Sequence, residues 1–203
     1  FERKVISDMQ NRIGPNRAGP FGILQTLADG IKLFFKEDLL PEQADKRMFR
    51  LAPYLSAVPA FLSFAIVPLG GNIEILGRET RLQLADPPIG ILFLLAMSSV
   101  AVYGVMLAGW SSGSKYPLLG SVRASAQMVS YEAALGLSVA AVVLVTGSLT
   151  ISDIVADQSR DLVSWNIVRL GFLPFALFLI AATAELNRPP FDLVEAEQEL
   201  VGG

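Results

Sequence analysis

The chain has 203 residues, 52% of them hydrophobic and 17% charged, with a net charge of −3 and a mean hydropathy of +0.50. It contains neither Cys nor His, which excludes a disulfide, a thiolate iron–sulfur ligand set, a His-ligated haem and a typical zinc site on this chain. The apolar excess places it in a membrane, and with no basic tract it carries no signature of a nucleic-acid partner.

Phe1 is not an initiator Met, and the chain is read as part of a longer protein. The stretch Arg12-Ile13-Gly14-Pro15-Asn16-Arg17-Ala18-Gly19-Pro20 is rich in turn formers. Phe21 to Lys36 then shows helical periodicity, with Leu24, Leu27, Ala28, Ile31 and Phe35 near one face. Gln25, Asp29, Lys32 and Lys36 form a polar stripe opposite. This predicts an amphipathic helix beside the membrane, either lying on lipid with a hydrated stripe or lining a cavity for the polar head of an amphipathic ligand. Asp29 and Lys32 are one turn apart, within pairing distance.

Four windows reach membrane length: Leu51 to Leu69, Pro88 to Trp110, Met128 to Thr146 and Ile167 to Ala184. Pro59 and Pro174 predict kinks in the first and fourth, freeing carbonyls near Leu55 and Leu170. Gly136, Ser138, Ala140 and Ala141 give the third a small face suited to close packing. Trp110 and Trp165 stand at span ends, as interfacial aromatics do. Of the 16 Lys and Arg, twelve fall in the N-terminal segment, the second-to-third connection and the tail, and four on the opposite side. The richer side is predicted to be cytoplasmic. Asn72-Ile73-Glu74-Ile75-Leu76 reads as a short strand, and Ser148 to Trp165 as a polar connector. The expected organisation is a single, partial transmembrane domain over 1–203. It comprises a cytoplasmic-side segment 1–50, four helices over 51–184 and an acidic loop 185–203.

The acids carry the chemistry. Glu132 lies about one turn inside the third span and Glu185 ends the fourth at the same face. Pro189 and Pro190 stop that helix. If the chain turns helical after Phe191, Asp192, Glu195 and Glu199 share a face; if it is extended, Glu195, Glu197 and Glu199 do. Crowded carboxylates at low dielectric titrate as a coupled set and exchange protons when a nearby charge changes. Arg188, and Arg123 before the third span, are placed to hold part of the set charged. A solvated acidic face is the plainer alternative for the tail, but an acid inside an apolar span faces a partner or water.

Three blocks carry a family resemblance. The first is Glu2-Arg3-Lys4 with Gln10-Asn11-Arg12-Ile13-Gly14-Pro15-Asn16, running through Leu24-Gln25 and Ala28-Asp29-Gly30-Ile31-Lys32-Leu33 to Lys36-Glu37. The second is Gly120-Ser121-Val122-Arg123-Ala124 with Ala126-Gln127 and Ser130-Tyr131-Glu132. The third is Ala184 to Leu200. In order and spacing they resemble the quinone-proximal membrane subunit of respiratory complex I, the proton-pumping NADH–quinone oxidoreductase of bacteria and mitochondria. The resemblance implies an all-α membrane protein, a multi-span helix bundle with eight helices in the full subunit. It implies a quinone, ubiquinone or menaquinone, as substrate, and flavin and iron–sulfur clusters on partner subunits.

By the same resemblance, Arg12, Gly14, Pro15, Asp29, Lys32, Arg123, Arg188 and Phe191 belong to the quinone chamber and its entrance. Glu132, Glu185, Asp192, Glu195, Glu197 and Glu199 form the proton path. The implied partners are peripheral-arm quinone-site and iron–sulfur subunits, small membrane subunits and antiporter-like subunits. The implied location is the bacterial cytoplasmic membrane, or else the mitochondrial inner membrane. Thr26 departs from the pattern, where many relatives have Pro. The rivals are a same-fold subunit of a ferredoxin-, deazaflavin- or hydrogenase-linked complex, and an ion-transport or anchor subunit without quinone.

Overall fold

A computed structural model describes residues 2–37, 39–75, 77–188 and 190–191. The chain divides into two compact units, 1–40 and 41–203.

In the first unit, helix α1 (Glu2–Met9) is followed by turns and a 3-10 turn at Pro20–Gly22. Helix α2 (Gln25–Phe34) is the amphipathic helix expected from the periodicity. Gly14 folds back on α1, where a Cβ would run into the Ser7 hydroxyl and lie 3.4 Å from the Lys4 Cα. Ser7 itself is only 2% exposed, so glycine is what permits the approach. The Lys4 ammonium lies 5.5 Å from the Phe21 ring centroid, a cation–π contact on the other side of that turn.

In the second unit, three helices are long and apolar enough to cross a membrane: α3 (Lys46–Ala65), α4 (Gly90–Ser111) and α5 (Lys115–Thr146). Helix α3 begins at Asp45, whose carboxylate accepts from the backbone N–H of Arg47 (3.0 Å) and Met48 (3.4 Å), satisfying donors that the first turn leaves orphaned. It continues through Pro53 and Pro59 as one helix. Neither ring can donate, so the carbonyls of Phe49 and Leu55 lose their usual partners. Helices α3 and α4 approach closely at Gly104, where a Cβ would meet the Ser56 hydroxyl and, at 2.8 Å, the Ala52 carbonyl. Gly109 does the same for α4 and α5, against Ser121 and the Pro117 carbonyl.

The third span is longer than the sequence suggests. Lys115 and Arg123 belong to helix α5, not to a loop. The 32 residues of α5 rise about 48 Å, well beyond the roughly 30 Å of hydrocarbon. Its buried small residues are Gly120, Ser121, Ala124, Ser125 and Ser138. Of the small face expected further along, Ala140 is exposed.

Strand β1 (Asn72–Ile75) matches the expected strand and pairs antiparallel with β2 (Arg78–Arg81), Asn72 opposite Arg81 and Ile75 opposite Arg78. The Leu69 N–H donates to the Leu82 carbonyl at 2.9 Å, closing the base of the hairpin. The stretch expected to be a bare polar connector contains helix α6 (Ile151–Gln158) and a 3-10 turn at Leu162–Ser164. Ser152 donates to Asp86 at 2.5 Å, tying α6 to the hairpin base, and Arg81 lies 3.6 Å from the same carboxylate.

The fourth span also differs. A short helix α7 (Asn166–Arg169) ends before Gly171, whose φ of 80° breaks the run, and α8 (Phe172–Glu185) starts afresh. At 14 residues α8 rises about 21 Å. Pro174 sits in its first turn, where a missing N–H costs nothing, so the kink expected there does not occur. An ion pair between Arg169 and Asp157 anchors α7 to α6.

Candidate functional site

The acidic site is built by α4, α5 and α8, which pack consecutively. Glu132 points from α5 towards α4, where the Ser98 hydroxyl donates to its Oε1 at 2.7 Å and the Ser99 hydroxyl at 2.5 Å. Hydroxyl-to-carboxylate bonds of about 2.5–2.7 Å are the charge-assisted kind. Two donors on one oxygen compensate a carboxylate that an apolar span would otherwise penalise. Glu185, the last residue of α8, is half-buried and near enough to Glu132 for the two charges to interact.

A cavity of about 630 Å³ runs beside this pair, with walls from α3, α4, α5 and α8. Its lining is almost wholly apolar, and Ser63, Ser98 and Glu185 are its polar members. The chain after α8 returns to α5 just beyond Glu132. The Phe191 ring packs edge-on against Tyr131 with centroids 5.3 Å apart, and the Phe191 carbonyl accepts from Gln127 at 2.9 Å. Phe191 therefore lies against α5 at Tyr131, the residue before Glu132. Arg188 is exposed in the turn that leads to it, and Arg123 is exposed on α5. Asp192, Glu195, Glu197 and Glu199 lie outside the described residues.

The first unit gathers the other expected site residues. Asp29 accepts from the Arg3 guanidinium at 2.6 Å and from the Gln25 amide at 2.9 Å. These donors hold its carboxyl below the usual carboxylate range, with Lys32 adding a weaker field. The Asp29–Lys32 pair expected from spacing is thus replaced by a pair with Arg3, which sequence reasoning leaves out of the site. Arg12, Gly14 and Pro15 line a cup of about 260 Å³ together with Arg3 and Ser7. The Arg12 Nε donates to Gln10 Oε1 at 2.8 Å. Sequence reasoning misses Ser98 and Ser99 as well. The only signal for them is a pair of adjacent hydroxyls in the middle of an apolar span.

Comparison with known proteins gives the family of the chain. The family model described as NADH dehydrogenase matches residues 1–203. The chain is 57% identical over 203 residues to the NADH-quinone oxidoreductase H subunit of Frankia casuarinae, covering 100% of this chain and 44% of that protein. It is 52% identical over 206 residues to the H subunit of the same enzyme from Streptomyces avermitilis, at 100% and 44% coverage. The first H subunit of the Geobacter metallireducens enzyme is 54% identical over 202 residues, at 100% and 60%. The chain therefore spans about half the length of these curated relatives.

Proposed function

Since the chain belongs to the NADH dehydrogenase family, we propose that it is part of the quinone-proximal membrane subunit of a proton-translocating NADH–quinone oxidoreductase. The names of its relatives and the three membrane-length helices support this reading. These relatives are bacterial, which favours the cytoplasmic membrane of a bacterium. The substrate is a quinone. Electrons reach it from flavin and iron–sulfur clusters on partner subunits, since this chain has no Cys or His to ligate a centre.

In the first unit, Arg12, Gly14, Pro15, Asp29 and Lys32 meet the quinone or shape its surroundings. In the second, Arg123, Arg188 and Phe191 are its quinone-binding residues, while Glu132 and Glu185, followed by Asp192, Glu195, Glu197 and Glu199, pass protons. Reduction of a quinone creates negative charge, and coupled carboxyl groups answer such a charge by taking up or releasing protons. The observation that carries the proposal is Glu132, an acid inside a span, with one carboxyl oxygen held by two hydroxyl donors and with Glu185 near enough to interact.

Replacing Glu132 or Glu185 with Gln should abolish quinone reduction and proton pumping together in membrane vesicles, with the complex still assembled. Normal turnover and pumping in both variants would refute the acid pathway. A photoreactive quinone analogue should label the first unit between Arg12 and Lys36, and failure to label it would favour an ion-transport or anchor role.

A further inference from the structure

Resting on the reading of Glu132 as a proton-exchanging acid, one detail of its surroundings says how it can change charge without being stranded. The Ser98 hydroxyl lies 2.7 Å from Glu132 Oε1 and also 2.9 Å from the Leu95 carbonyl. The Ser99 hydroxyl lies 2.5 Å from the same Oε1 and 3.0 Å from the same Leu95 carbonyl. Each hydroxyl has one hydrogen and two acceptors in reach, so it can serve only one of them at a time. We propose that Ser98 and Ser99 form a hydroxyl pair that follows the proton on Glu132, turning between its Oε1 and the Leu95 carbonyl.

When Glu132 is charged, both hydrogens point at Oε1. A proton arriving at the carboxylate forms one new O–H bond on Glu132, and no other covalent bond changes. A serine hydrogen then rotates onto the Leu95 carbonyl, and the freed serine oxygen accepts from the new carboxyl hydrogen. In both states each serine hydrogen and the carboxyl hydrogen has an acceptor, so the change of charge strands no donor at membrane depth. A rigid donor such as a backbone N–H cannot do this, because it would face the neutral acid's own hydrogen.

Among the described residues, the donors to Glu132 are these two hydroxyls. Helix α4 brings no Asp, Glu, Lys or Arg, and the titratable group facing from α8 is Glu185, which repels charge on Glu132 rather than stabilising it. Ser98 also lines the cavity that Glu185 borders, so one member of the pair touches both Glu132 and the wall of that space. Ser98 and Ser99 are positioning residues, since they act through Glu132.

The test uses the complex purified in native lipid with two substitutions of nearly one shape, Ser99→Thr and Ser99→Val, each also combined with Ser98→Ala. Ser99 is exposed, so both side chains fit. The infrared carbonyl band of protonated Glu132 is identified by its disappearance in Glu132→Gln. In Ser98→Ala/Ser99→Val this band should move to higher wavenumber and the pH profile of quinone reduction should be displaced. The turnover number should fall about tenfold, the scale of one lost charge-assisted hydrogen bond, with the quinone KM unchanged. Ser98→Ala/Ser99→Thr should keep most of the wild-type band position and rate. Equal behaviour of the Thr and Val variants, with Glu132→Gln still inactive, overturns the hydroxyl pair and leaves the acid pathway standing. Full activity of Glu132→Gln overturns the acid pathway beneath it.

Discussion

Asp29 and Glu132 are held by different kinds of donor. Asp29 accepts from a guanidinium and an amide in an exposed setting, whereas Glu132 relies on two neutral hydroxyls inside a span. The Asp29 pair stabilises by lowering its carboxyl below the ordinary 3.8, so the contribution is complete above that pH and is lost as pH falls through the lowered value. Arg3→Ala should remove it. The melting-temperature advantage of the wild type over Arg3→Ala should hold at neutral pH and shrink as the medium is acidified below 3.8. Because the pair is exposed, the advantage should be small and should weaken with salt. The polar stripe of α2 is legible from periodicity, but its partner is not. Arg3 lies 26 residues away, and spacing along one helix reveals only local pairs. Glu132 is legible because an acid in an apolar run stands out, while Ser98 and Ser99 look like any small residues of a packed span.

At the level of elements, hydropathy locates the spans and misses their ends. Helix α5 starts at Lys115 because the chain turns sharply at Gly113, with φ 72°. Pro117 falls in the first turn, where its missing N–H has no intrahelical partner to lose, and the helix runs on through the buried Gly120, next to Ser121 where α5 meets Gly109 of α4. Helix α8 starts late because Gly171 takes a left-handed conformation that a continuous apolar window cannot show. Helix α6 is hard to see because its acids read as loop, although Ile151, Ile154 and Val155 keep a helical period. For the proposed serine pair, the register that matters most is that of α4 between its neighbours. Gly104→Ala places a Cβ against the Ala52 carbonyl, which cannot rotate away. Forcing α3 and α4 apart should cost about 1–3 kcal/mol. The expected result is a lower melting temperature in detergent and fewer assembled complexes per cell.

Over the whole molecule, the three long helices bury only 11% of their apolar windows within the chain, so most of that surface must face lipid or further helices. On the charge bias, the β1–β2 hairpin is expected outside and the α4–α5 turn inside. With no native Cys in this chain, single reporters at Thr80 and Ser114 give a clean reading. A membrane-impermeant maleimide should label Thr80→Cys from the outer face only and Ser114→Cys from the inner face only. Labelling of both from one face would contradict the orientation.

The shortness of α8 has its own consequence. At about 21 Å against a hydrocarbon layer of roughly 30 Å, the 14-residue helix is mismatched to an ordinary bilayer. Where α8 meets lipid, a helix this short is matched by local thinning of the bilayer or by flanking residues that reach the interface. On the proposed role of Glu185, acyl-chain length would then set how near headgroups and water come to that carboxyl, and lipid composition would enter the rate at which it exchanges protons.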